Sequence, residues 1–416
     1  MTDEPHGDLA GRAARVLAGG ATHSARSYPH PIHVAAAQGA RKWLVDGREL
    51  VDYTMGHGAL LLGHAHPAVV EAVRAQVARG THFGAGSELE VRWAELIVGM
   101  VPSVERIRFT ASGTEAVMLA LRLARAASGR GVVVKLDDHF NGWYDAVSVD
   151  LDDSGRPVPA TGVTASATAD TLVVRGGDLE ALSHALDGRA AAALIMEASG
   201  AHYGRSPLAA EFIAGARRLC DATGTALVFD EVVTGFRVDP GGMQTLLRIR
   251  PDLTIFGKVM AGGLPGGAVG GRAQLMDLLA VPEPGGPPTQ RPFVYHPGTW
   301  NANPLTAAAG IATLELVADG TAQARAAAFA AQLEAAWSAA LREAGVPGRV
   351  WRLTSIIHCA LADAGAQAQL GAALRDQGID VLHTSAFCST AHGDAELEWS
   401  DAAFRGALRS ILARRS

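Results

Sequence analysis

Val69, Val70, Val73 and Val77 recur at helical spacing in AVVEAVRAQVARG, after a GHAHP turn at 63–67, and predict an amphipathic helix over 68–80. A second helix is predicted over 88–101, leading through Pro102 into a short strand, ERIRF. The 3.6-residue period returns over 116–127, so this strand, a glycine-bearing turn and the helix make one βα unit. The pattern then changes to unbroken apolar runs: VVVKL at 132–136, AAALIME at 191–197, TALVFDE at 225–231 and LTIFGK at 253–258. Runs of this kind suit strands covered on both faces by helices.

The predicted organisation follows from that alternation. Residues 60–305 read as a large α/β domain with a mainly parallel sheet flanked by helices. From there to residue 416 the texture becomes alanine-rich helix, a strand-like piece RVWRLTSIIHCAL and a last helix, giving a smaller α+β domain at 306–416. Residues 1–59 hold a strand pair around Asp46-Gly47 expected to pack with that small domain. The stretch 152–169, rich in Ser, Pro, Thr, Gly and Ala, is expected to be a mobile loop suited to a lid.

Composition narrows the function. The 416 residues are 48% hydrophobic, enough for two or three packed units with a large core. With 36 basic and 42 acidic side chains the formal charge is -6, and no Lys/Arg-dense face points to nucleic acid, so small molecules are the expected partners. Cys220, Cys359 and Cys388 are odd in number and far apart, which suits a reducing compartment better than a disulfide framework or a zinc site. Neither a signal-like leader nor a run of about 18 apolar residues is seen, so a cytoplasmic, non-membrane protein is expected. Only three lysines occur, Lys42, Lys135 and Lys258, so lysine chemistry has few candidates.

Asp230 and Glu231 close a strongly apolar strand and require partners there. A nucleotide-hydrolase reading with Gly257-Lys258 fails, because position 252 is Asp and position 259 is Val. Lys258 instead ends an apolar strand, where α/β sheets bind ligands, and a partly desolvated lysine forms imines; a surface lysine at a strand exit is the plain alternative. Ser112-Gly113-Thr114 opens a helix and offers either a phosphate cradle or an ordinary N-cap. HFNGWYD at 139–145 puts Phe140 where it could cover a flat ring and Trp143 where core packing is the more natural reading. His64 and His66 have H-x-H spacing with no neighbouring ligand to complete a metal set, so no metal is expected. An imine-forming lysine, a phosphate cradle, a buried carboxylate and an aromatic cover together match the needs of pyridoxal 5'-phosphate.

The stretches LLLGHAHPAVVEAV, RFTASGTEAVMLALRLAR, LVFDEVVTGFR, PDLTIFGKVMAGGLPGGAVGG and GTWNANPLTAAAG, in this order, closely resemble the class III aminotransferases of the fold type I pyridoxal-phosphate enzymes. The resemblance runs from about Gly19 to the C-terminus and is nearest the glutamate-1-semialdehyde 2,1-aminomutase branch. It implies that Lys258 is the Schiff-base lysine and proton shuttle and that Asp230 pairs with the pyridinium nitrogen. Val232 and Phe140 would pack on the two ring faces, and Ser112, Gly113 and Thr114 would bind the phosphate. Thr299 resembles a residue that reaches the phosphate of the neighbouring subunit, which implies a homodimer with shared active sites. Arg26 aligns with an arginine that holds a substrate carboxylate, although a surface arginine is the plain alternative. His57, Trp143 and His202 complete the expected substrate set.

Several positions depart from the branch: Phe140 stands where tyrosine is usual, His57 where tryptophan stands, Ala198 follows Glu197 in place of proline, and HTSAFCSTAHGD is shorter than its counterpart and lacks an acidic residue found there. The expected activity is therefore amino transfer from an amino-acid-like or amine donor to a keto or aldehyde acceptor. An intramolecular 2,1-aminomutase, or a racemase or decarboxylase on the same scaffold, are alternatives. A pyridoxal-phosphate-binding regulator without turnover is disfavoured by the intact Lys258 and Asp230.

Overall fold

Seven strands build the central sheet of the computed structural model, which describes residues 9–24, 31–199, 207–282 and 292–414. Across the sheet the order is Arg106–Thr110, Gly267–Gly271, Leu253–Gly257, Ala226–Asp230, Ala191–Glu197, Val132–Leu136 and Thr171–Val174. Gly267–Gly271 runs antiparallel to both its neighbours, and the remaining pairings are parallel. Every residue of Ala191–Glu197 and Leu253–Gly257 is buried, as the unbroken apolar runs require of strands covered on both faces. This is the fold type I architecture, a mostly parallel sheet flanked by helices with a smaller mixed part from the terminal segments.

Sequence pattern located the helices closely. The first is Pro67–Val77, with proline in its opening turn, and the next is Glu88–Met100, opened by a reciprocal capping box between Ser87 and Glu90. Trp93 on the second donates its indole N–H to Met260 O at 3.0 Å, fixing that helix against the turn that follows Lys258. The helix after the first sheet strand, Gly113–Ser128, buries seven side chains against the sheet and ends at a left-handed Gly129.

The strand Gly267–Gly271 was not legible as a strand, since three of its five residues are glycine. Close backbone approach explains them. A Cβ on Gly267 would lie 2.4 Å from Ser112 O and one on Gly271 2.4 Å from Asp252 O. The stretch 152–169, expected as a loop, is regular in its first part, where Val149–Leu151 and Pro157–Pro159 form an antiparallel hairpin, and runs in turns beyond it. Its turn is closed by the Asp152 carboxylate, which accepts from the N–H groups of Ser154 and Arg156 and from the Arg156 guanidinium.

The terminal segments meet. Arg41–Leu44 and Glu49–Asp52 pair antiparallel across the Asp46-Gly47 turn, and Val51 and Asp52 pair in parallel with Ile379 and Asp380. Val51 and Tyr53 thereby enter one apolar cluster with Trp337, Leu370, Ile379 and Phe404. RVWRLTSIIHCAL is a hairpin of two strands, Gly348–Leu353 and Ile356–Leu361, with Ser385–Phe387 paired to the second. All three cysteines are free and buried. Among the described residues no helix is long and apolar enough to cross a membrane.

Candidate active site

Three strands of the parallel block deliver chemistry at their carboxyl ends. Asp230 ends Ala226–Asp230, its register partner Glu197 ends the adjacent Ala191–Glu197, and Lys258 follows Leu253–Gly257. Asp230 and Glu197 are buried and Lys258 is half-buried, and Lys258 sits in the left-handed region at φ 51°, a conformation an L-residue keeps only where its surroundings impose it.

The two acids that close LVFDE have separate duties. Glu231 is fully buried and accepts from the Met243 N–H (2.6 Å), the Gln244 N–H and side-chain amide (3.0 Å each) and the Thr234 hydroxyl (2.9 Å), so it ties down the following loop. Asp230 accepts from Asn141 Nδ2 at 2.9 Å and from the Val232 N–H at 3.1 Å. Burial raises the Asp230 carboxyl above its ordinary range, while Asn141, Val232 and the charge of Lys258 pull the other way.

Glu197 was legible as a strand-ending acid but had no site role in the sequence reading. Its Oε1 accepts from the Phe140 N–H at 2.9 Å, and its own N–H donates to His139 Nδ1 at 2.9 Å. Burial pushes its carboxyl up to about 8, with Asp230 adding to the rise. Burial likewise brings the Lys258 amine down to about 8, against the attraction of Asp230 and Glu197, and Arg237 assists the lowering. The result is a lysine of lowered basicity beside two acids.

Glycine contacts show how the Ser112-Gly113-Thr114 turn, Val232 and Gly257 converge on the same place. A Cβ on Gly113 would stand 2.9 Å from Val232 Cγ2, and one on Gly257 3.3 Å from Val232 Cγ1. Gly142 packs on Thr114, where a Cβ would be 2.6 Å from Oγ1. Thus Val232 lies between the Ser112-Gly113-Thr114 turn and the residue preceding Lys258. Ser112 also acts as the plain N-cap, its hydroxyl accepting from the Glu115 N–H at 3.3 Å. The first N–H groups of this helix have no acceptor within it, which favours an anion at its end.

A flat, phosphate-bearing pyridine ring can be tested against these residues. Beside the Asp230 carboxylate, the amide oxygen of Asn141 is buried and lacks a partner among the described residues. Together with the glycine-lined turn and the enclosed lysine, this donor and acceptor set fits pyridoxal 5'-phosphate. Asn141 itself was missed by the sequence reading, although it sits within HFNGWYD beside Phe140.

Other expected residues are placed less centrally. Phe140 is 52% exposed, and Trp143 is 79% exposed, which overturns the core reading of Trp143. Thr299 is exposed in this single chain, with its carbonyl oxygen 2.6 Å from His82 Nε2. His57 is left-handed at φ 58° and its ring centroid lies 5.0 Å from that of His23. Arg26 and His202 lie outside the described residues. His64 meets a carboxylate after all, Asp52 Oδ2 at 2.6 Å, supplied from another strand and shared with Lys42.

Comparison with known proteins is consistent with this arrangement. The family model described as aminotransferase class-III matches residues 22–391. A glutamate-1-semialdehyde 2,1-aminomutase of Chloroflexus aurantiacus is 38% identical over 432 residues, covering 96% of this chain and 95% of the relative. Among solved structures, an omega-transaminase from Sphaerobacter thermophilus superimposes with a TM-score of 0.91 at 35% identity, covering 97% of each chain. A transaminase with PLP bound gives the same TM-score and identity over 100% of both chains.

Proposed function

Because this chain belongs to the class III aminotransferase family, we propose that it transfers an amino group on a small amino-carbonyl substrate, with Lys258 as the group that captures the cofactor and carries the proton. It is a pyridoxal 5'-phosphate-dependent enzyme. When bound, the cofactor supplies an aldehyde that captures amines and a ring that draws off electron density as a proton leaves the substrate carbon. The observation that carries the reading is Lys258 itself, a half-buried amine of lowered basicity at a strand end facing Asp230 and Glu197. At about 8, roughly one amine in ten is neutral at pH 7, against fewer than about one in a thousand for an ordinary lysine.

The remaining roles follow the family resemblance. Asp230, oriented by Asn141, would hold a proton on the ring nitrogen; Val232 and Phe140 would cover the ring faces; Ser112, Gly113 and Thr114 would hold the phosphate. His57 and Trp143, with Arg26 and His202, would line the substrate side. A homodimer in which Thr299 reaches the partner's phosphate is supported by the exposed Trp300, Tyr295 and Phe293 around it.

The sequence reading put transfer between two substrates first. The aminomutase relative supports transfer within one molecule, of the glutamate-1-semialdehyde type, and that form leads here. Transfer between a donor and a carbonyl acceptor is kept as a second reading on His57, which stands where the aminomutase branch has tryptophan, and on the omega-transaminase neighbour. The test is turnover of a single amino-aldehyde substrate without a second compound. Complete turnover supports the intramolecular form. A stoichiometric absorbance shift from about 420 to about 330 nm that stops until an acceptor is added supports the second.

A further inference from the structure

Arg237 is fully buried, and among the described residues no carboxylate lies within ion-pair distance of it. Such a cation is costly unless its donors are met. They are met by neutral acceptors from three segments distant in sequence. Nε and Nη2 donate to Gly58 O at 3.1 and 2.9 Å, and Nη1 donates to Cys388 O at 2.9 Å and Ser355 Oγ at 3.3 Å. The guanidinium also lies 5.5 Å from the Phe387 ring centroid.

Gly58 ends an unusual turn. Met55, Gly56, His57 and Gly58 have φ of 42°, 60°, 58° and 86°, four consecutive left-handed residues of which two carry side chains. The run admits no replacement at Gly58, where a Cβ would stand 2.9 Å from Phe387 Cε1. A conformation of this kind persists only when its surroundings over-determine it, and the double donation to Gly58 O is one such restraint. Among the described residues the charged groups that act on Lys258 are Asp230, Glu197 and Arg237, of which Arg237 alone is a cation.

We propose that Arg237 is a positioning residue of the amino-transfer site: it pins the turn that carries His57 to the loop after Asp230 and holds that turn against the one that begins at Lys258. The inference rests on Lys258 being the cofactor-capturing residue. As support, a neighbouring cation is a general means of lowering a lysine's basicity, and the charge of Arg237 acts on Lys258 in that direction.

The test uses the full chain stripped of cofactor, with the rate of pyridoxal 5'-phosphate capture followed by absorbance across pH, alongside KM and kcat of the reloaded enzyme. Capture by the wild-type chain tests the role of Lys258, so its absence would count against the proposed function and not against Arg237. Arg237→Gln removes the cation and should move the capture midpoint upward by about half a pH unit or more. Arg237→Lys keeps the charge but loses the fork, so the midpoint should stay while KM rises by about tenfold with kcat changed less. A merely structural staple would lower the amount of folded protein and move neither the midpoint nor the KM to kcat ratio. Should Arg237→Gln fail to fold, Arg237→Lys and Ser355→Ala decide the matter. Both should raise KM at an unchanged midpoint, and a wild-type KM in both would overturn the proposal, as would an unmoved midpoint in a folded Arg237→Gln.

Discussion

Lys42 is buried and Lys258 half-buried, yet their surroundings act on them in opposite directions. In the terminal-segment sheet, Lys42 donates to Asp52 at 3.0 Å and to Asp380, and His64 and Arg375 flank the same carboxylates. Burial works against its charge, but Asp380 and Asp52 outweigh it and hold the ammonium above the ordinary lysine range. At the strand ends of the large sheet, burial prevails over the pull of Asp230 and Glu197 on Lys258. The third lysine, Lys135, is also lowered by burial, but its ammonium is tied to Val149 O at 2.8 Å. Burial alone therefore does not mark a reactive lysine. What marks it is an amine that burial has made less basic and that no hydrogen-bond acceptor among the described residues ties down.

The largest effect expected from this contrast is at Lys258 itself. Lys258→Ala should lower turnover by at least about a thousandfold and abolish the visible band of the bound cofactor. A yellow, active variant would remove the basis of the mechanism. Lys42→Met should do something different in kind. It leaves Asp52 and Asp380 buried without their cation, and should cost about 3–5 kcal/mol of stability, read as a lowered midpoint of denaturation, while the cofactor band of the folded fraction survives. Were Lys42→Met to lose the band without losing stability, the division between the two regions would collapse.

Asp230→Asn comes next: it should keep the cofactor but lower kcat by about a hundredfold, because a neutral amide no longer favours a proton on the ring nitrogen. Asn141→Ala should cost about tenfold, through an Asp230 carboxylate that has lost one of its donors, and an unchanged rate would show that Asn141 merely fills space. The smallest effect is the sharpest in form. Glu197 is raised to about 8, so it is neutral below that pH and ionises as pH rises through it. Glu197→Gln, an isostere of the neutral acid, should match wild type at pH 6–7 and lose whatever change wild type shows in its cofactor spectrum around pH 8.

How much of this was readable in advance also divides by region. The parallel block was legible because each strand is an unbroken apolar run ending in the residue that matters, as in ALIME, ALVFD and LTIFGK. Strand Gly267–Gly271 was not, because its glycines answer to backbone contacts with Ser112 and Asp252 that only the folded chain reveals. Glu197 carried the same signal as Asp230, an acid closing an apolar strand, and could have been found by applying that rule twice. Asn141 and Arg237 could not, since an amide and an arginine in loop sequence acquire meaning only through partners 89 and 179 positions away. The Lys42 cluster was invisible for the same reason: its carboxylates come from strands that meet only in the fold.

The most direct test uses the scarcity of lysine. Borohydride reduction of the cofactor-loaded enzyme fixes the cofactor to whichever lysine holds it, and peptide mass mapping must then choose among Lys42, Lys135 and Lys258. Label on the peptide containing Lys258 alone is the expected result. Label on Lys135 or Lys42, or a loaded enzyme that reduction leaves unlabelled, would contradict the assignment on which the mechanism stands.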